Sequence, residues 1–247
     1  MSPLRRLARW LGYDLTPLRK ARSPAAQRAA LLERFGVSCV LDVGANVGQY
    51  AAGLRAWGYR GRIVSFEPLA AAHAALERRA ARDRSWTVAP RMALGERDGL
   101  AEIEVSAEAD MSSLLPQSEL LRRVSPTSKV IARETISLHR LDTLYDDLVD
   151  AAARTYLKVD TQGTEPRVLE GARGVLDRII GVELEMSLVP CYEGERSFRE
   201  TIDALAEDGF VLHLLLPGYF ERKLGRQLQV DGVFYRADAP VAAPPAG

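Results

Sequence analysis

The sequence predicts an α/β domain built on a mostly parallel β-sheet with helices on both faces. Short apolar, β-branched runs alternate with longer helical segments, and the runs recur at regular intervals without a linker. Such alternation is typical of parallel strands joined by right-handed crossovers. The last two apolar runs have no helix between them, so they should pair antiparallel at the edge of the sheet. One domain accounts for the whole pattern.

Composition excludes several classes of protein. The chain has 247 residues, of which 47% are hydrophobic, and its 33 basic residues balance 33 acidic ones. A balanced charge gives no general field that would attract nucleic acid, so no nucleic-acid partner is predicted. Two cysteines are too few for a disulfide framework. No apolar run is long enough to cross a bilayer or to act as a signal peptide, so we expect a cytoplasmic protein.

Residues 1–36 are predicted to form an N-terminal helical extension. Its apolar residues stand at helical spacing with arginines between them: Leu4, Leu7, Ala8 and Leu11. The favoured interpretation is a short helix packed on the domain, and the alternative is peripheral membrane contact or partner docking through this basic helix. Ser23 followed by Pro24 predicts the start of a second helix that runs to about residue 35.

The stretch from residue 39 to residue 50 predicts a small-molecule cradle. A buried strand over residues 39–43 leads into Gly44, which allows a turn, and Gly48 opens a helix and should let it approach a ligand closely. The dinucleotide fingerprint has a glycine where this chain has Asn46, which disfavours a pyrophosphate ligand and hence a nicotinamide oxidoreductase. Asp42 at the strand end suits a cationic ligand.

The second strand, over residues 62–66, ends at Glu67. An acidic residue at the tip of the second strand is where a ribose diol is held in folds of this type. Glu67 follows Gly48 at close to the roughly 20-residue spacing expected for that carboxylate. The two features together predict a nucleoside-containing ligand.

The remaining elements complete the alternation. Strands are predicted over residues 86–89, 134–138, 156–160, 178–185, 210–216 and 228–236, and helices over residues 69–84, 141–153, 165–176 and 195–208. A hairpin is predicted between residues 92–95 and 101–105. Residues 106–129 are polar and should form a loop or lid over the site. The Ala/Pro-rich tail, residues 237–247, is predicted to be disordered.

Several blocks of sequence carry a family resemblance. The motif of Asp42, Gly44, Asn46 and Gly48 is similar to motif I of class I S-adenosylmethionine (SAM) methyltransferases. Residues 41–48, 66–68, 157–172 and 231–234 resemble the FkbM-type methyltransferases, and the Lys-x-Asp-x-Gln-Gly-x-Glu pattern of residues 158–165 is the most specific part. The resemblance implies a Rossmann-like class I domain over residues 37–236, with a seven-stranded sheet and SAM as cofactor.

The resemblance also implies an activity and a set of cofactor residues. Such enzymes mostly methylate hydroxyls of sugars, glycolipids and polyketides, so O-methylation is expected. By position, Asp42, Gly44, Asn46 and Gly48 would surround the methionine part of SAM. Glu67 would hold the ribose, Met92 and Ala93 would lie near adenine, and Asp160 would lie close to the methyl group.

Methyl transfer to an oxygen needs a positioned base. Asp160 is the first candidate, since a carboxylate at the carboxyl end of a parallel strand faces the ligand crevice; its alternative is to hold SAM or cap the next helix. His139 is a second candidate, although a histidine beside an arginine also suits the surface. Glu183 and Glu185 share one strand face and need partners if buried, and Glu185, nearer the strand end, is the third candidate.

The last predictions concern the pairing of Lys158, metal binding and the rival functions. Lys158 is expected to pair with one of these carboxylates. Asp160, Glu183 and Glu185 could surround a divalent cation, but their spacing is not diagnostic and no metal is predicted. The rival functions are N-methylation and a non-catalytic protein of the same fold that binds SAM without turnover.

Overall fold

The computed structural model describes residues 3–13, 15 and 23–241. The helices in this part of the chain are α1 Pro3–Trp10, α2 Pro24–Arg34, α3 Gln49–Ala56, α4 Ala70–Ala80, α5 Glu119–Val124, α6 Leu141–Leu148, α7 Glu165–Gly171 and α8 Phe198–Glu207. The strands are β1 Cys39–Val43, β2 Arg62–Phe66, β3 Trp86–Val88, β4 Ala93–Leu94, β5 Gly99–Ser106, β6 Val130–His139, β7 Thr155–Val159, β8 Ile179–Ser187, β9 Phe210–Pro217, β10 Phe220–Glu221, β11 Arg226–Gln227 and β12 Gln229–Arg236.

Seven strands form the main sheet in the order β3-β2-β1-β7-β8-β12-β9. The first five pair in parallel, and β12 pairs antiparallel with both of its neighbours. This confirms the predicted fold class, including the antiparallel pairing of the last two strands at this edge. The antiparallel strand lies second from the edge, and β9 forms the edge itself.

The predicted hairpin between residues 92–95 and 101–105 is wrong. β6 lies between the two segments in a separate three-stranded sheet, pairing in parallel with β4 and antiparallel with β5. The short separation of β4 and β5 in sequence suggested a direct pairing. β6 is ten residues long and pairs with both segments instead. Its register with β5 runs from Gly99 to Ser106.

The predicted loop over residues 106–129 has more structure than expected. It contains α5, capped by the Ser118 side chain, and buries Leu121 against Cys191 and Tyr192. Ser113 Oγ donates a 2.6 Å hydrogen bond to the carbonyl of Gln162. The segment is therefore anchored to the loop after β7, and its part near residue 110 lines the cleft described below.

Each face of the main sheet has its own apolar core. Val40 and Tyr156 pack toward α2, α3 and α4, whereas Leu41 and Leu157 pack toward the face that carries α6, α7 and α8. Because side chains alternate along a strand, Asp42 lies on the same face as Val40. Charged residues on this face of the strand ends therefore meet α2 and α3.

The N-terminal helix differs from the favoured interpretation. α1 is present, but Leu4, Leu7 and Leu11 are exposed and only Ala8 is buried. Ser23 caps α2 through Ala26, as predicted. None of the helices in the described part of the chain has both the length and the apolar character needed to span a bilayer.

Parts of two predictions concern residues outside the described ranges. The predicted N-terminal extension includes residues 1–2, 14 and 16–22, and the predicted disordered tail includes residues 242–247. Within the described part of the tail, Ala237 and Ala239 donate backbone hydrogen bonds to Gly209 and Arg236. The first residues after β12 are thus held against the domain.

Candidate active site

The turn after β1 packs directly against the end of β7. Gly44 has a φ of +74°, and a Cβ atom there would lie 1.9 Å from the carbonyl oxygen of Asp160. The amides of Gly44 and Ala45 donate to the carbonyl of Phe66 at 3.1 and 3.0 Å. Only glycine fits this position, because any side chain would collide with backbone. The strand ends of β1, β2 and β7 are thereby held together.

Glu67 closes this turn from the other side. Its carboxylate accepts hydrogen bonds from the amides of Asn46 (2.8 Å) and Leu69 (2.9 Å) and is 4% exposed. Burial raises the pKa of Glu67, and the two amides oppose that shift. The carboxylate thus has a fixed position beside the turn.

A buried ion pair network lies beneath the turn. Asp42 is fully buried, and its Oδ1 lies 3.4 Å from Lys158 Nζ, which is also 3.5 Å from Asp160 Oδ2. Burial raises the pKa of Asp42, and the Lys158 ammonium counteracts it. Burial lowers the pKa of Lys158, but the carboxylates of Asp160 and Asp42 outweigh it and raise the pKa above its ordinary value. The predicted pairing of Lys158 is confirmed.

A cleft opens over these strand ends. Asn46, Glu67 and Asp160 contribute polar groups to its lining. The rest is largely apolar and includes Phe66, Leu69, Met92, Ala93, Leu94, Ile103 and Leu114. A mostly apolar cleft with a few fixed polar groups is typical of a nucleoside site. We call it the first cleft.

A second cleft meets the first at Gln49 and Asp160. Its lining is strongly charged: Arg28, Tyr50, Lys158, Glu183, Glu185 and Asp231. Strand register explains the arrangement, since Lys158 pairs with Glu183, and Glu185 pairs with Asp231 on the neighbouring strand. Asp160 lies where the two clefts join.

Gln162 connects the carboxylates at this junction. Its Nε2 donates to Asp160 Oδ1 and to Glu185 Oε2, both at 2.8 Å, and its Oε1 accepts from the buried Tyr192 hydroxyl at 2.8 Å. Glu185 also accepts a 2.7 Å bond from Gln229. Gln162 has a φ of +56°, which is uncommon for a residue with a side chain. The loop therefore holds a strained residue in place to orient two acids.

Two acids of the second cleft hold their protons to unusually high pH. Burial raises the pKa of Glu185 well above its ordinary range, and repulsion from Asp160 adds to the shift. Burial likewise raises the pKa of Asp231 to about 7, with Glu183 and Asp160 contributing. Groups that titrate near neutral pH can accept or donate protons in a reaction.

Glu183 has a different environment from its neighbours. Arg28 Nε donates to both carboxylate oxygens at 2.8 and 2.9 Å, and the hydroxyls of Tyr50 and Tyr156 donate to Oε2 at 2.7 and 2.9 Å. The prediction that the buried carboxylates have partners is confirmed. With its oxygens engaged, Glu183 joins α2 and α3 to the sheet and is not available as a base.

Comparison with known proteins identifies the family. The profile described as "Methyltransferase FkbM domain" matches residues 42–212, more than half of the chain. The chain belongs to the FkbM methyltransferase family. S-adenosylmethionine is accordingly its cofactor. Among curated proteins, none matches the sequence.

Solved structures with a similar fold include three methyltransferases. An S-adenosylmethionine dependent methyltransferase from Mesorhizobium loti is 13% identical, with 89% of this chain and 100% of that chain covered and a TM-score of 0.49. Magnesium protoporphyrin IX methyltransferase from Synechocystis with bound SAM is 9% identical, with 86% and 78% covered and a TM-score of 0.47. An rRNA methylase from Streptococcus thermophilus is 11% identical, with 87% and 97% covered and a TM-score of 0.44.

The residues of this FkbM methyltransferase fit SAM at the first cleft. Asn46 Oδ1 is buried without a hydrogen-bond partner in the described structure, and Asn46 is one of the residues that line the cleft. Buried polar atoms require partners, so this atom indicates a polar ligand group. Asn46 and Glu67 would hold polar parts of the cofactor, and Met92 and Ala93 would contact an apolar one.

Most predicted cofactor residues of the FkbM domain lie at this cleft, and two do not. Gly44, Asn46, Glu67, Met92 and Ala93 line it, whereas Asp42 is buried beneath the turn. Gly48 caps α3 with a φ of +81°, and a Cβ there would lie 2.8 Å from Trp86 and 2.9 Å from Leu76. The close approach that Gly48 permits is to the protein core, which corrects the expectation that it faces the ligand.

Two of the three predicted catalytic residues lie at the clefts, and the third does not. Asp160 lies at the junction of the clefts and Glu185 in the second cleft, whereas His139 is outside the lining of both. His139 Nδ1 is 3.4 Å from Asp98 Oδ1, and Leu94 pairs with it across the small sheet. Asp160 does not cap α7, since Thr164 is the N-cap residue, so the predicted capping role is wrong. A role of Asp160 in holding SAM stays a prediction.

The sequence predicts no individual role for Gln162 or Asp231. The signal for Gln162 was present in the Lys-x-Asp-x-Gln-Gly-x-Glu pattern, where it stands between Asp160 and Glu165. Glu165 organises the same loop by accepting from the amide of Thr161 at 2.7 Å, and burial raises its pKa to about 7. Asp231 reaches the site only through the register of β12 with β8.

Proposed function

We propose that this chain is an O-methyltransferase acting on a hydroxyl of a sugar, a glycolipid or a related natural product. The observation that carries the proposal is the pair of acids, Asp160 and Glu185, held by Gln162 where the two clefts meet. An acid at the junction of a cofactor cleft and a second cleft can remove a proton from an acceptor that occupies the second cleft.

Each residue at the junction has a separate role in the proposed methyl transfer. When bound, SAM supplies an electrophilic methyl group. Asp160 accepts the proton of the acceptor hydroxyl on a carboxylate oxygen, while Gln162 keeps that carboxylate oriented. Lys158 lies 3.5 Å from Asp160 Oδ2 and stabilises its charged form. The apolar lining of the first cleft limits access of water to the reacting atoms.

The second cleft favours a polyhydroxylated acceptor. Asp160 and Asp231 line it with carboxylate oxygens that can accept hydrogen bonds from several hydroxyls. Arg28 and Tyr50, by contrast, are bonded to Glu183. A wholly apolar acceptor would remove water from the two lining carboxylates without replacing its hydrogen bonds, at a cost of about 1–3 kcal/mol each. A sugar ring, free or as part of a glycolipid, satisfies this chemistry better than an unsubstituted polyketide.

The test is transfer of labelled methyl from SAM to a panel of polyols, sugars, phenols and amines, with products analysed by mass spectrometry. Methyl on an oxygen of a hydroxylated acceptor supports the proposal. Methyl on nitrogen alone would favour an N-methyltransferase. SAM binding with no transfer to any acceptor, by folded protein, would favour a binding module of the same fold.

A further inference from the structure

The N-terminal helix α1 has an apolar face of which, in the described structure, Ala8 is buried and the large side chains are exposed. Its large side chains, together with those of the turn that follows, are between 54% and 83% exposed: Leu4, Leu7, Trp10, Leu11 and Tyr13. Leaving this much apolar surface in water is unfavourable, and contiguous exposed apolar surface marks interaction sites. Scattered single residues would need no explanation, but these belong to one helix and the turn directly after it.

The charges of α1 lie apart from its apolar residues. At 3.6 residues per turn, Leu4, Leu7 and Leu11 share one side, and Arg5, Arg6 and Arg9 share the opposite side. No acidic residue occurs between residues 3 and 13. The helix is therefore strictly amphipathic and purely cationic, although the chain as a whole has no net charge.

The helix also has a defined end. The amide of Leu11 donates to Leu7 at 3.0 Å, Gly12 adopts a φ of +85°, and the amide of Tyr13 donates to the carbonyl of Ala8 at 2.7 Å. This is the hydrogen-bond pattern of a glycine-terminated helix. The apolar face is thus a feature of a completed helix with its own C-terminal cap.

We propose that α1 docks on the anionic surface of a lipid bilayer. Its apolar side would lie at the boundary of the acyl chains, and Arg5 and Arg6 would contact lipid phosphates. Trp10, at the edge of the apolar face, suits the interface between water and lipid. A helix of eight residues is about 12 Å long, far short of a bilayer core of about 30 Å, so it lies on the membrane and does not cross it.

Charge complementarity favours an anionic bilayer over a second copy of the chain as the partner of α1. A second copy packed on the apolar side would engage none of the arginines, because they lie on the opposite side of the helix. An anionic bilayer offers both an apolar layer and negative phosphates in the geometry that α1 presents. One short helix gives reversible binding, so the protein should distribute between membrane and solution.

The test is co-sedimentation of the full chain with phosphatidylglycerol/phosphatidylcholine vesicles, with pure phosphatidylcholine vesicles as comparison. We expect binding to the anionic vesicles that weakens as salt is added. Replacing Leu4 and Leu7 together by Glu should reduce binding about tenfold or more, since the apolar contacts are lost. Replacing Arg5 and Arg6 by Gln should reduce it on the order of tenfold.

Leu100 provides the matched control. It lies on β5 and is 66% exposed, the same fraction as Leu4. Leu100→Glu should leave vesicle binding unchanged. Absence of sedimentation by folded protein, equal loss in Leu100→Glu, or undiminished binding of the Leu4/Leu7 variant would overturn the proposal. So would a dimer in light scattering that the Leu4/Leu7 substitutions dissociate, or retention of RNA in place of vesicles.

Discussion

At the residue scale, the site depends on where protons are held. Glu185 and Asp231 pair across β8 and β12, Asp160 directly follows β7, and one glutamine bridges Asp160 and Glu185. Burial raises the pKa values of Glu185 and Asp231, and repulsion from the neighbouring acids adds to the rise. Asp160 lies 3.5 Å from Lys158 and Asp231 lies 3.6 Å from Arg28, so the charged form of each of these two acids has a cationic partner.

Asp160→Asn tests the proposed base. The amide cannot accept the hydroxyl proton, so turnover should fall about 10²–10⁴-fold while affinity for S-adenosylhomocysteine stays within a few-fold. Steady-state kinetics and calorimetric titration measure the two quantities. His139→Gln is the control and should keep turnover within a few-fold of the wild type. Normal turnover in Asp160→Asn would remove Asp160 from the mechanism.

The raised pKa of Asp231 predicts that the stability of the folded protein depends on pH. Burial raises the pKa of its carboxyl to about 7, from an ordinary value of about 3.9. Between these two pH values the unfolded chain has lost this proton and the folded chain retains it, so the stability that this group contributes falls as pH rises toward 7. Asp231→Asn removes the effect.

The melting temperature of Asp231→Asn relative to wild type should therefore rise between pH 4 and pH 8. We expect little difference at the acid end and a gain of a few degrees at the alkaline end. Asp150→Asn, at a carboxylate 86% exposed, should show no such trend. A difference for Asp231→Asn that is constant across pH would contradict the assigned pKa.

At the element scale, the strand ends are joined by turns that tolerate no added atoms. The β1 turn meets the β7 loop at Gly44, and Glu67 fixes the same turn from the end of β2. These contacts explain why the cofactor motif was readable from sequence. A glycine turn after a buried strand and an acid after the next strand are local sequence patterns. Such patterns can be recognised without knowing the tertiary structure.

Gly44→Ala tests this turn. Its left-handed backbone would cost a side chain about 1–3 kcal/mol, and the collision with Asp160 adds to that. We expect a strongly lowered melting temperature or loss of S-adenosylhomocysteine binding. Gly53→Ala, in α3, is the control because a Cβ there meets no atom within 4 Å. That variant should be as stable as the wild type or up to about 1 kcal/mol more stable. Equal behaviour of the two variants would contradict the account.

At the scale of the whole molecule, strand order creates the second cleft. β7 lies between β1 and β8, and β12 inserts beside β8, so charges distant in sequence form one surface. The sequence predicts the parallel sheet and its antiparallel strand, because strand-helix alternation is periodic. It does not predict the place of Asp231 or the pairing of β6 with both β4 and β5, because register between distant strands depends on packing.

Exposure was the other property that periodicity left undecided. The spacing of Leu4, Leu7 and Leu11 predicts a helix with one apolar side, whether that side packs on the domain or faces outward. The structure leaves it exposed. In the same way, the arginine beside His139 could not indicate that this histidine pairs with Asp98, outside both clefts.

The most direct test of the account is calorimetric titration of the protein with S-adenosylhomocysteine, with NADH as a control ligand. We expect micromolar binding of S-adenosylhomocysteine, none of NADH, and loss of binding in Glu67→Ala, because this carboxylate fixes the turn and lines the first cleft. Folded wild-type protein that does not bind, or a Glu67→Ala variant that binds as tightly as the wild type, would contradict the assignment of the cofactor to this cleft.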